Sequence, residues 1–198
     1  MALIAAATLA RAQADSDCGV LSAESRTTFK NAIESMGENL SEDEDAASAP
    51  EHAARPKLER MHRIVCVAGR NELDEAAALL LVEILRPEHH LDLGPPLSAN
   101  ALSADTGYLP LFKDASVVCL SLISTSSPAR ARFLVRRIRR RAPAARVLVG
   151  LWGSRTREVA SEEMARATSF QAVAYSLRDA VATIDSMLTM ERAPASVA

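Results

Sequence analysis

The 198-residue chain has no apolar run of about 18 residues, so no segment of it reads as a membrane-spanning helix. Its three cysteines, Cys18, Cys66 and Cys119, are too few and too widely spaced for a disulfide framework or a zinc site. Aromatic residues make up 4%, too little for a base-stacking surface. Lysine is nearly missing as well. Lys30, Lys57 and Lys113 are the only ones, and arginine supplies the rest of the 23 basic residues. These absences leave an α/β-type globular domain with extra segments and name no function.

What is present is unevenly distributed. Residues 1–61 carry six basic and eleven acidic residues, net −5, and residues 62–198 carry seventeen and fourteen, net +3, which together recover the overall −2. The divide is an acidic, small-residue segment, Ser41-Glu-Asp-Glu-Asp-Ala-Ala-Ser-Ala-Pro50, with almost nothing to bury. The pattern predicts a helical hairpin over 1–40, a disordered acidic linker over 41–61, a folded domain over 62–191 and a disordered tail over 192–198.

In the hairpin, Gly19 suits a helix C-terminus and Ser22 an N-cap, and Phe29, Ile33, Met36 and Leu40 share one face that needs a partner surface. Met1–Ala10 and Ala12-Gln-Ala14 resemble a secretory signal. No positive charge precedes the short, alanine-dominated stretch, which argues against secretion.

From residue 63 onward, apolar runs alternate with helical spacing. Arg63–Gly69, His90–Leu93, Ser116–Ile123, Arg146–Trp152 and Phe170–Tyr175 read as strands. The helices between them cover Leu73–Ile84, a broken stretch over Asn100–Phe112, 128–142 after Ser127 and Pro128, and 155–167. A last helix follows Ser176. Continuous apolar strands suit a parallel sheet covered on both faces. The expected fold is therefore Rossmann-like: a flavodoxin-like, doubly wound α/β sheet of about five strands in the order 2-1-3-4-5. In such a fold a ligand sits beyond the carboxyl ends of the strands. The candidate ligand-binding residues there are Gly69, Arg70 and Asn71, then Ser124, Thr125, Ser126 and Ser127, then Gly153 and Ser154.

Those loops fail the tests for several familiar chemistries. A phosphoacceptor receiver needs acidic residues after the first strand and an aspartate ending the third, where this chain has Gly69-Arg-Asn and Ser121-Leu-Ile-Ser124. No glycine-rich phosphate loop follows the first strand. The hydroxyls of Ser124–Ser127 mark either a capped, solvated turn or an anion-compatible helix start. The pattern is cobalamin-domain-like, with Ser121-Leu122 ending the third strand and Gly150 and Gly153 after the fourth. The cobalt-ligating histidine of such domains is missing, because the first loop reads Gly69-Arg-Asn-Glu-Leu-Asp74. His52, His62, His89 and His90 read as surface residues, and Cys66 and Cys119 as small core residues. No catalytic constellation, metal site or cofactor emerges.

The most unusual composition is in the helix over 128–142. Ala131, Leu134, Val135 and Ile138 form its inward face. Arg132, Phe133, Arg136, Arg137, Arg139 and Arg140 gather around the outside. This reads either as a solvated amphipathic helix or as an electropositive face. Such a face would suit anionic lipid headgroups, an acidic protein segment such as Glu42–Asp45, or, least well, nucleic acid, for which there is no recognition motif.

Three runs carry a resemblance: Val65-Cys-Val-Ala-Gly-Arg-Asn-Glu-Leu-Asp-Glu-Ala-Ala-Ala78, Ser127-Pro-Ala-Arg-Ala-Arg-Phe-Leu-Val-Arg-Arg-Ile-Arg139 and Val147-Leu-Val-Gly-Leu-Trp152. Together they resemble the cytoplasmic C-terminal domain of proteobacterial autoinducer-2 exporter (AI-2E) family transporters. Ala5–Ala14, Gly19-Val-Leu21 and the acidic linker resemble the segment that joins that family's membrane helices to the soluble domain. The resemblance implies a non-catalytic accessory or regulatory module, cytoplasmic and at the inner face of the bacterial inner membrane. It would be detached from its membrane part as a truncated product or a separate subunit. The implied partners are the transporter membrane domain or an anionic membrane surface, a small anionic ligand and a second copy of the chain, with no nucleic acid. The alternative is a free-standing small-molecule-binding protein. An enzyme acting on an anionic substrate through Arg70 or Ser124–Ser127 is a third reading.

Overall fold

A computed structural model describes residues 12, 22, 24–28, 30–33, 35, 61–69, 71–88, 90–102, 108–123, 128–152 and 170–192. Five parallel strands form one sheet: β1 His62–Ala68, β2 Leu91–Leu93, β3 Ala115–Leu122, β4 Arg146–Leu151 and β5 Ala172–Ala174. Their order across the sheet is β2-β1-β3-β4-β5, the flavodoxin-like order that the alternating pattern predicts. Among the described residues, the helices from β1 onward are α1 Glu72–Leu85, α2 Leu109–Lys113, α3 Pro128–Arg141 and α4 Leu177–Arg192, with a 3-10 turn at Ala99–Leu102.

The central strands are buried on both faces because their apolar residues run without interruption. Alternation along each strand then sends successive side chains to opposite cores. Ile64, Cys66, Val117, Cys119 and Leu148 meet α1 and α4 through Leu73, Leu81, Ile184 and Leu188. Val65, Val67, Val118, Leu120, Val147 and Val149 meet α3 through Leu134, Val135 and Ile138, and meet Phe112. The arginine-rich helix thus covers the face opposite α1.

The strand ends differ in detail from the sequence reading. His90 lies in a turn before β2. Beyond Pro95 and Pro96 the chain returns to β1, where Leu97 exchanges hydrogen bonds with Ala68 N (2.7 Å) and Cys66 O (2.8 Å). β5 is only three residues long, and just before it Gln171 meets β4 with both backbone and side chain: its N–H donates to Val147 O at 2.9 Å and its Oε1 accepts from Val147 N at 2.6 Å. His62 is buried rather than a surface residue, with Nδ1 3.4 Å from Ser116 Oγ.

Before the sheet, the backbone is helical at 24–28, 30–33 and 35. Ser22 Oγ accepts from Ser25 N at 3.1 Å, the expected N-cap. Ala12 and Ile33 are buried in the α1 core, and Arg26 and Lys30 pair with Glu72 (3.3 Å) and Glu75 (2.7 Å). Of the expected apolar stripe, Ile33 is thus placed against the α1 core, and Phe29, Met36 and Leu40 lie outside the described residues. The acidic stretch over 41–60, the expected helix over 155–167 and residues 193–198 lie outside the described residues.

Candidate functional site

Two features meet at the carboxyl ends of β1, β3 and β4, where this fold class holds its ligands. The first is built on the start of α1. Asn71 is its N-cap in extended conformation, and its Oδ1 accepts from Asp74 N at 2.6 Å. Asp74 completes a capping box by accepting from Asn71 N through Oδ2. It is only 3% exposed, and its other oxygen accepts from Ile123 N, just past β3, at 2.8 Å. A buried carboxylate needs such partners on both oxygens. Gly69 leaves it room: a Cβ at that position would lie 2.0 Å from Asp74 Oδ2. The Gly69 N–H donates to Ser121 O at 3.0 Å.

The second feature is built on β3 and β4. Ser121 is fully buried, and its Oγ accepts the indole N–H of Trp152 at 2.6 Å. Trp152 N donates to Leu122 O at 3.0 Å, which continues the strand pairing past β4. The ring folds back over Gly150, where a Cβ would lie 2.0 Å from the indole Cζ2. Gly150 lies within β4 itself, not in the turn after it. Residues i and i+2 share a strand face, so the bare Cα of Gly150 is the floor on which the ring rests.

The sequence-expected ligand residues fare accordingly. Gly69 and Asn71 are committed to holding Asp74 and the start of α1. Arg70, Ser124, Thr125, Ser126, Ser127, Gly153 and Ser154 lie outside the described residues. Among the described residues, Asp74 and Trp152, which the sequence reading did not single out, occupy the strand ends. The Asn71-x-x-Asp74 spacing, a capping signature, and the Gly150-x-Trp152 spacing are the signals that could have found them.

On the opposite face, α3 places Ala131, Leu134, Val135 and Ile138 inward as expected. Phe133 is 50% exposed, and the Arg137 guanidinium lies 5.1 Å from its ring centroid. Arg136 and Arg140 are exposed, and Arg132 is partly so. Arg139 is turned elsewhere. It donates to Ala145 O at 2.6 Å and to Gln171 Oε1, and burial lowers its pKa from the usual arginine value.

A small pocket of about 70 Å³ opens beside β1 and β2 and includes Arg63, Asp92, Pro95 and Leu111. Its cation, Arg63, is paired with Asp92 at 2.7 Å and Asp114 at 3.8 Å. Among the described residues no group of histidine, cysteine, aspartate and glutamate side chains could hold a metal ion. Among them also, no helix is long and apolar enough to cross a membrane.

No protein-family model matches the chain, and no curated protein matches it. Among solved structures, the chain is similar to a novel cobalamin-binding protein from Desulfitobacterium hafniense DCB-2. The TM-score is 0.47 at 12% identity, over 90% of this chain and 77% of that one.

Proposed function

We propose that this chain is a non-catalytic accessory or regulatory module of the kind that forms the soluble tail of an AI-2E family transporter. It works at the cytoplasmic side of the membrane by presenting a surface. One observation carries this reading: among the described residues, the strand ends, where a doubly wound sheet would hold a ligand, carry the chain's own Trp152 indole and Asp74 carboxylate. Each is held by hydrogen bonds and seated against a glycine. A ligand entering there would have to displace a buried aromatic ring or a buried carboxylate and leave their partners unsatisfied.

The second reading is a free-standing small-molecule-binding protein with a cobalamin-domain-like fold. The sheet order and the solved cobalamin-binding protein named above are in its favour. The first loop, Gly69 to Asp74, offers no histidine to a cobalt atom. One experiment separates the readings: thermal unfolding of the chain with nucleotides, cobalamins and small anions. The module reading expects an unchanged transition with nucleotides and cobalamins, and accommodates a rise with a small anion, which is among its implied partners. A saturable rise with a nucleotide or a cobalamin would transfer the case to the second reading.

A further inference from the structure

The outer face of α3 is a stripe of one sign. Phe133, Arg136, Arg137 and Arg140 fall at i, i+3, i+4 and i+7, opposite the buried stripe, over roughly 10 Å of helix. The helix sequence PARARFLVRRIRRR holds seven arginines and no acidic residue, so nothing within the helix neutralises the face. The choice of cation matters. A guanidinium presents a planar fork that matches two phosphate oxygens at once and is weakly hydrated, so it leaves water at low cost. The half-exposed Phe133 ring within this stripe adds an apolar contact that a purely ionic partner would not use.

We propose that this face of α3 docks on an anionic lipid bilayer, with Arg136, Arg137 and Arg140 on headgroup phosphates and Phe133 in the interfacial layer beneath them. The proposal rests on the reading of the chain as a surface-presenting module and names the surface that the module meets. Charge draws the face to the membrane, and the aromatic ring favours a lipid surface over an acidic polymer. Because each arginine at a membrane surface strengthens binding by roughly fivefold, three together supply about a hundredfold.

The test uses the full chain and flotation with vesicles of phosphatidylcholine containing 30 mol% phosphatidylglycerol, against pure phosphatidylcholine. Binding to the anionic vesicles alone is expected, falling steeply with added salt. The combined variant Arg136→Gln, Arg137→Gln and Arg140→Gln should lose about a hundredfold in partitioning. It should still unfold in one cooperative transition within a few degrees of the parent, because the three side chains lie on the face away from the core and the loss of the Arg137 contact with Phe133 is a small one. Phe133→Ala should weaken binding severalfold while leaving the salt dependence in place. Equal binding of the triple variant, equal binding to neutral vesicles, or capture by polyglutamate without vesicle binding would each overturn the proposal. These outcomes are independent of the ligand screen. A stabilising cobalamin or nucleotide would end the module reading, whereas loss of vesicle binding in this assay would end only the membrane-docking proposal.

Discussion

The indole N–H of Trp152 donates to Ser121 Oγ at 2.6 Å, tying the end of β4 to β3 within the sheet. Trp152→Ala should cost about 3–5 kcal/mol, the range for deleting a buried large aromatic. Ser121→Ala removes only the acceptor and leaves a buried N–H unsatisfied, for about 1–3 kcal/mol. Gly150→Ala forces a methyl into the ring and should also cost about 1–3 kcal/mol. Urea unfolding of the three variants checks this order. Gly150→Ala in the Trp152→Ala background should be nearly neutral, since the clash has gone.

Asp74 couples the start of α1 to the segment after β3. Asp74→Ala loses both the cap and the bond to Ile123 N, at about 2–4 kcal/mol. Asp74→Asn keeps an acceptor and should cost clearly less. Gly69→Ala pushes against the same carboxylate, so its cost should shrink in the Asp74→Ala background. A double-mutant cycle by chemical denaturation measures that coupling.

Cys66 and Cys119 are register partners in β1 and β3, and both are buried. The hydrogen bond with Cys66, reinforced by burial, pushes the Cys119 thiol well above the usual range. A raised pKa favours the protonated folded state, so its contribution to stability is complete below about pH 8.5, the value in an unfolded chain. Stability should fall as pH rises beyond that point, and Cys119→Ala should flatten the fall. In native buffer neither thiol should react with a thiol reagent on the timescale of the unfolded protein's reaction.

Gln171 serves two donors from one oxygen, Val147 N and the Arg139 guanidinium. Gln171→Ala should therefore cost about 1–3 kcal/mol despite the residue's exposed position. Gln171→Glu keeps the acceptor and adds a charge opposite Arg139, so it should recover most of that loss in a thermal melt.

Much of this architecture is legible in the sequence, because uninterrupted apolar runs and helical spacing report directly which faces are buried. The sheet order, the inward face of α3 and the serine caps at Ser22 and Ser176 follow from such local signals. Ser176 Oγ accepts from Asp179 N at 3.1 Å. The strand-end arrangement is legible only in part. The burial of Asp74 depends on Ile123, 49 residues away, and the seat of Trp152 depends on Ser121, 31 residues away. Periodicity within one element carries no information about either. The same holds for Arg139, which sequence spacing places among the outer arginines and tertiary contacts draw to Ala145 and Gln171.

Trp152 is the only tryptophan, so its fluorescence reports the occupancy of the strand ends directly. The account predicts a blue-shifted emission that acrylamide quenches far less in the native chain than in urea, and that nucleotides leave unchanged. An emission as red and as quenchable as that of the unfolded chain, or one that shifts saturably when a nucleotide is added, would contradict it.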